Sequence, residues 1–296
     1  MNGNIQINTD TPPGPALLKA RDRVLNTSKT LVMGAINLTP DSFYEPSRAG
    51  AVDEAVSRVE RMLAEGADIV DMGAESTRPG SEPVPVSEET ARLMPVLEQC
   101  VKRFENAVIS VDTTKAPVAA LALDAGAAMI NDISGLTFEE SVAENVARAG
   151  AAIVLSHTPA RPAAMQSMTN YENLMETVTG SLKQSAEKAL AAGVSRDSIV
   201  VDPGIGFGKT ESQNLEILNR LDELTELRHP VLVGTSRKSF IGGVLGGIPA
   251  GERLEGTAAT VAIAIMKGAA IVRVHDVKEM ARVARMSDAI KNRMPA

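Results

Sequence analysis

The segment Asp202-Pro203-Gly204-Ile205-Gly206-Phe207-Gly208-Lys209 places three glycines between a carboxylate and an amine. Glycine allows backbone conformations closed to other residues and lets a ligand come close, so such a loop can lie against a flat molecule. Asp112 and Asn131 also stand at the ends of short apolar runs. Together with Asp202 they make two carboxylates and one carboxamide. That set suits a heterocycle with an amidine-like N–C–N edge, such as a pterin, because a carboxylate accepts two parallel hydrogen bonds from it. Taken singly, each of the three has an ordinary alternative as a turn or capping residue.

Cations form a second group: Arg78, Lys209, Arg237, Lys238 and Arg273, with His275 beside the last. Arg and Lys clamp phosphates through charge-assisted hydrogen bonds. His157, alone at the end of a run, could be a base, a ligand or a satisfied packing histidine, and the last is the first reading for a lone His there. His229, in a turn before Pro230, is read as a surface residue. Three scattered histidines and a single cysteine leave no basis for a structural zinc site. A Mg²⁺ held by pyrophosphate and one or two oxygen ligands would leave little trace in the sequence.

These residues need elements to carry them. Eight apolar runs are expected as strands: Leu31–Asn37, Asp68–Gly73, Val108–Thr113, Ala128–Ser134, Ala152–His157, Ser198–Asp202, Val231–Ser236 and Ile271–His275. Helical spacing of apolar residues lies between them. The expected helices are Ala51–Glu65, one starting at an N-cap Ser87, Ala116–Asp124, Glu139–Ala149, Asn173–Ala192, Asn214–Leu227, Leu254–Lys267 and Val277–Arg293. A β-then-α unit repeated in this way closes into a single α/β (β/α)8 barrel, whose active site gathers at the carboxyl ends of the strands. Loops seven and eight of such barrels often build a phosphate site.

The 296 residues suit one barrel, spanning 31–296, after a short and loosely packed N-terminal extension over 1–30. With 44 % hydrophobic but 2 % aromatic residues, the core must be largely aliphatic. No run reaches the length of a membrane span, and the polar N-terminus lacks the order of a secretory signal. The single Cys100 is read as a core hydrophobe in a reducing, cytoplasmic setting. A net charge of −7 argues against nucleic acid as a partner and leaves small molecules. The Ala/Gly-rich helix from Gly256 to Ala269 would let two barrels approach as a homodimer.

The chain resembles the dihydropteroate synthase family over about residues 31–290. The resemblance is carried by Met33 to Phe43, Glu75 to Gly80, Ser110 to Thr113, Ile130 to Asp132, Asp202 to Lys209, Ser236 to Ser239 and Val272 to His275. It implies condensation of 6-hydroxymethyl-7,8-dihydropterin pyrophosphate with p-aminobenzoate, releasing pyrophosphate and 7,8-dihydropteroate in folate biosynthesis. Asp112, Asn131, Asp202 and Lys238 would hold the pterin. Thr77, Arg78, Pro79, Phe207, Lys209 and Ser239 would frame p-aminobenzoate. Asn37, Arg78, Arg273 and His275 would serve pyrophosphate, with Asn37 on Mg²⁺. Asp112, Asp202, Lys238 and Arg273 would carry the chemistry. The family's pairing through its last helices also implies a homodimer.

Three departures from the family pattern are visible. Ser156 stands where Met often precedes the strand-five His, which thins apolar packing, and Thr158 follows it. The first loop continues as Tyr44-Glu45-Pro46-Ser47-Arg48. Ala74 replaces a common glycine. Two other readings use part of the same residues. A folate-to-corrinoid methyltransferase would use Asp112, Asn131 and Asp202 but leave Thr77-Arg78-Pro79 and Arg237-Lys238-Ser239 without purpose. A pterin binder that has lost catalysis would fit the altered first loop.

Overall fold

The computed structural model describes residues 17–39 and 48–292, with the side chains of residues 48 and 49 left undescribed. Its strands are β1 Leu17–Ala20, β2 Arg23–Asn26, β3 Leu31–Asn37, β4 Ile69–Gly73, β5 Val108–Asp112, β6 Met129–Asp132, β7 Ala152–Ser156, β8 Ile199–Asp202, β9 Leu232–Val233 and β10 Ile271–Val274. Its helices are α1 Arg48–Glu65, α2 Val86–Arg103, α3 Ala116–Asp124, α4 Ser141–Ala149, α5 Leu174–Ala191, α6 Glu211–Asn219, α7 Ser239–Val244, α8 Leu254–Met266 and α9 Val277–Lys291.

β3 to β10 form one parallel sheet in the order β8-β7-β6-β5-β4-β3-β10-β9. A parallel bridge from Val201 to Val231, with Val201 N donating to the Pro230 carbonyl at 3.0 Å, joins its two ends. The expected (β/α)8 barrel is therefore what the chain builds. Its strands are buried on both faces, the condition under which continuous Val/Ile/Leu runs rather than alternation mark a strand. Inside the ring, Leu31, Met33, Ile69, Val108, Met129, Val154, Val200, Leu232 and Ile271 pack as an aliphatic plug. Aliphatic residues also fill the layer between sheet and helices, including Cys100, whose thiol burial pushes up to about 12.

The extension expected to be loose over 1–30 is not so where it is described. β1 and β2 form an antiparallel hairpin, and Leu18 and Ala20 are fully buried against the lower barrel interior. Four-residue strands around an Arg21-Asp22 turn give almost no periodic signal, so the floor they supply is visible only in three dimensions. Residues 1–16 lie outside the described residues.

Other differences are local. α2 begins at Val86 behind Pro85, whose carbonyl accepts from Glu88 and Glu89, so Ser87 is inside the helix rather than its N-cap. α6 begins three residues before the expected Asn214, because Thr210 and Gln213 form a capping box. It ends at Asn219, and a 3-10 turn continues over Leu221–Leu227. β9 stops at Val233, where Gly234 and a turn closed by Lys238 N to the Thr235 carbonyl (3.1 Å) take over. His229, read as a surface residue, is buried ahead of β9, and that burial pushes its imidazole below the usual range.

Candidate functional site

Parallel register sets the site's lateral order. Asn37 pairs with Gly73, Gly73 with Asp112, Asp112 with Asn131, and Ser156 with Asp202. Because side chains alternate across a strand, Asp71 and Arg273 also point into the ring, one layer below its rim. An aliphatic barrel thus ends in a polar layer at its carboxyl mouth.

Arg273 is the hub of that layer. Its Nε donates to Asp71 Oδ2 at 2.6 Å and its Nη2 to Asp112 Oδ2 at 3.0 Å. Asn131 Nδ2 donates to the same Asp71 oxygen at 3.0 Å. Burial pushes the Asp112 carboxyl up to about 7; Arg273 opposes that, while Asp71, Glu89 and Asp132 reinforce it. Asp132 itself is a turn residue: its carboxylate accepts from Ser134 N, Ser134 Oγ and Leu136 N at 2.7–2.8 Å.

The glycine-rich loop is fixed from both sides. Gly204 N donates to Asp202 Oδ1 at 2.8 Å, and Ser156 Oγ donates to Asp202 Oδ2 at 3.1 Å. Where thinner apolar packing was expected, Ser156 therefore supplies a hydrogen bond to the site carboxylate. Lys209 is buried beneath the loop. Its Nζ donates to the Gly204 and Phe207 carbonyls at 3.0 Å each and meets His157 Nδ1 at 3.0 Å. Burial pushes the Lys209 amine down to about 7 and the His157 imidazole down to about 3. His157 is thus the neutral, satisfied packing histidine expected. Lys238 donates to the Ile205 carbonyl and sits 4.5 Å over the Phe207 ring. Burial pushes its amine down to about 8, against the pull of Asp202.

His275 meets Ser236 Oγ at 3.0 Å through Nδ1, and burial beside Arg273 and Arg237 pushes it down to about 4. It is a neutral hydrogen-bonding group, not a cation, near pH 7. Arg237 is committed to Asp276, with Nε to Oδ2 at 3.0 Å. Ser239 is exposed at the start of α7. Arg78 and Pro79 are exposed, whereas Thr77 is half-buried in a cavity of about 240 Å³ that it shares with Asp112, Ile133, Phe138 and Arg161. That loop is tied to the one after β7 by Gly80 N donating to the Pro162 carbonyl at 3.0 Å. The structure therefore brings Asp112, Asn131, Asp202, Lys238 and Arg273 together. It leaves Arg78, Pro79 and Ser239 on the rim, turns Lys209 inward and pairs Arg237 outside. The first-loop segment Pro40 to Ser47 lies outside the described residues.

Three partners were missed by sequence reasoning. Asp71 lies inside the Asp68–Gly73 run and Ser156 was read only as thinner apolar packing; for Asp71 the only signal was a polar residue within a fully buried strand. The third is Glu89, buried on α2, which shares Lys115 with Glu75 at 2.5 Å from its own Oε2. Glu89 lies in the first turn of α2, where an acidic residue is ordinary, so nothing in the sequence marked it.

A family model described as pterin binding enzyme matches residues 33–275. The chain is 46 % identical over 265 residues to a dihydropteroate synthase of Bacillus subtilis, covering 90 % of each protein. Among solved structures it is similar to the Yersinia pestis dihydropteroate synthase in a sulfonamide drug complex. That match has a TM-score of 0.87 at 39 % identity, covering 93 % of this chain and 99 % of the other. It is also similar to the Thermus thermophilus dihydropteroate synthase in complex with 4-aminobenzoate. There the TM-score is 0.83 at 42 % identity, covering 93 % and 99 % of the two chains.

Proposed function

The chain belongs to the pterin-binding enzymes, among the dihydropteroate synthases, and on that premise we propose which of its residues carry each part of the reaction. The reaction is a transfer: 6-hydroxymethyl-7,8-dihydropterin pyrophosphate and p-aminobenzoate give 7,8-dihydropteroate and pyrophosphate, a step of folate synthesis. The observation that carries the residue assignment is the polar layer in which Arg273 bridges buried carboxylates at 2.6 and 3.0 Å.

Asp112, Asn131 and Asp202 take the pterin's N–C–N edge, with Lys238 at its side. Asp202 is oriented for this by donors to both oxygens. Departure of pyrophosphate places negative charge on the leaving group and positive charge on the pterin methylene. Arg273 stabilises the first and the two carboxylates the second, charge stabilisation by preorganised groups in a water-poor site. His275 adds a hydrogen bond to the phosphates. The arylamine needs orientation more than a base. Phe207, with Lys238 stacked on it, offers one wall for the ring, while Thr77 and Ser239 border it. Arg78 and Pro79 reach it if their loop folds inward. Lys209 serves this pocket from behind, by holding the loop that carries Phe207.

Among the described residues no group of three or more His, Cys, Asp or Glu could hold a metal ion. The donor set that fits Mg²⁺ is Asn37 Oδ1, half-buried at the mouth, together with phosphate oxygens of the substrate. Bound there, Mg²⁺ would neutralise leaving-group charge. No helix among the described residues is long and apolar enough to cross a membrane. For the same reading, a single cysteine, which leaves no internal disulfide, fits a reducing cytoplasmic setting.

The Asp112 carboxyl gives this assignment a test. To accept from the pterin it must be ionised, and in the free protein it loses its proton at about 7. Affinity for the pterin alcohol, lacking pyrophosphate, is expected to fall up to about tenfold per pH unit below that value. Calorimetry between pH 5.5 and 8.5 measures it. Asp112→Asn should bind weakly and without that slope; an unchanged slope would remove Asp112 from the pterin edge.

We also propose a homodimer through α8 and α9. These helices pack on each other and expose Ile263, Met266, Met286 and Ile290. Sedimentation of the full chain should give twice its 31.1 kDa mass, and Ile263→Asp with Met286→Asp should give the monomer. A monomer of the unaltered chain at micromolar concentration contradicts the proposal.

A further inference from the structure

We propose that Asp71 is a positioning residue that locks Arg273 and Asn131 to one another, so that the pyrophosphate and pterin halves of the substrate are gripped as a unit. The inference rests on the assignment of those two residues above. Asp71 lies in mid-strand on β4, and its side chain is fully buried. A single oxygen, Oδ2, accepts from Arg273 Nε at 2.6 Å and from Asn131 Nδ2 at 3.0 Å.

Each bond settles a choice the partner could not make alone. Arg273 reaches across from β10. With Nε on Asp71 and Nη2 on Asp112, its guanidinium plane is fixed at two edges. No described residue accepts from Nη1, so that edge is left for an anion. Asn131 has an amide that could face either way. An ionised carboxylate accepts and does not donate, so it holds Nδ2 toward itself and leaves Oδ1 as an acceptor toward the pterin. The same buried charge thereby aims a donor at the phosphates and an acceptor at the ring.

Stability alone does not explain this carboxylate. Its second oxygen, Oδ1, is buried and has no hydrogen-bond partner among the described residues, and the same holds for Oγ of Ser110, its register neighbour on β5. A buried charge with an unsatisfied oxygen is costly, and an apolar core serves a barrel as well or better. The arrangement makes sense if orientation of Arg273 and Asn131 is what is retained.

The test uses the full chain with Asp71→Asn, close to isosteric, in two double-mutant cycles. Affinity is read for the pyrophosphate substrate in a cycle with Arg273→Ala, and for the pterin alcohol in a cycle with Asn131→Ala. Asp71→Asn is expected to weaken the pyrophosphate substrate by about 10- to 100-fold and to leave KM for p-aminobenzoate within about twofold. In each cycle the double variant should be little worse than the worse single variant. In the Arg273→Ala background Asp71→Asn should raise Tm, because it removes a charge left without its partner, a readout independent of activity. Parent-like kinetics of Asp71→Asn, or additive losses in both cycles, would overturn the proposal. If instead Arg273→Ala alone left affinity for the pyrophosphate substrate unchanged, the functional assignment of Arg273 would fail first, and the cycles would show which of the two had failed.

Discussion

Arg273→Ala is expected to lower kcat/KM for the pyrophosphate substrate by on the order of 10³-fold while weakening the pterin alcohol far less. Two losses add. The leaving group loses a charge-assisted donor placed where negative charge develops, worth about 3–4 kcal/mol at comparable sites. The side chain also carries the positive charge between Asp71 and Asp112. Removing one partner of a buried pair leaves uncompensated charge, at a cost of about 3–5 kcal/mol, so Tm should fall as well. Steady-state kinetics and calorimetry on the two ligands separate these effects. Parent-like affinity for the pyrophosphate substrate would reject Arg273 as its anchor.

Gly204→Ala carries the second large effect, and through the backbone rather than through charge. Gly204 sits at φ +68°, and a Cβ there would overlap the His157 carbonyl oxygen. The left-handed conformation costs a non-glycine residue about 1–2 kcal/mol, and the overlap cannot be relieved by a rotamer change. The loop must then move, and with it the Gly204 N–H on Asp202 and the Gly204 carbonyl on Lys209. A stability loss of at least about 3 kcal/mol is expected, with pterin affinity falling on the order of 100-fold. Gly246→Ala is the control, at φ +82° with nothing within 4 Å of its Cβ, so it reports backbone strain alone. Equal Tm for the two variants would mean that the His157 contact does not constrain the loop.

The contrast between these two sites explains how far the sequence could be read. Gly204 belongs to a contiguous loop, and its neighbours along the chain already marked it. Leu31–Asn37 and Ala116–Asp124 were likewise legible with their bounds, because each is a local pattern bounded by local stop signals. α7 was not, since six residues with Gly242 and Gly243 among them carry no period. Nor was the β1–β2 hairpin, whose apolar residues find their partners only across the barrel floor.

The site followed the same division. Asp112, Asn131, Asp202 and Arg273 could be picked out as polar ends of apolar runs. Their pairing could not, because Arg273 meets Asp71 across 202 residues of chain and Asp112 across 161. Only the pairing of β10, the last strand, with β3, the first of the barrel, makes those neighbours. Lys209 shows the converse: its place after a glycine-rich loop suggested a pocket donor, and three-dimensional packing points its amine at backbone carbonyls instead.

The measurement that bears most directly on the central claim is pyrophosphate release from 6-hydroxymethyl-7,8-dihydropterin pyrophosphate, followed with and without p-aminobenzoate and Mg²⁺. Release that requires Mg²⁺, with dihydropteroate formed in equal amount when p-aminobenzoate is present, is the expected result. Tight binding of the pterin substrate with no release under any of these conditions would contradict the account.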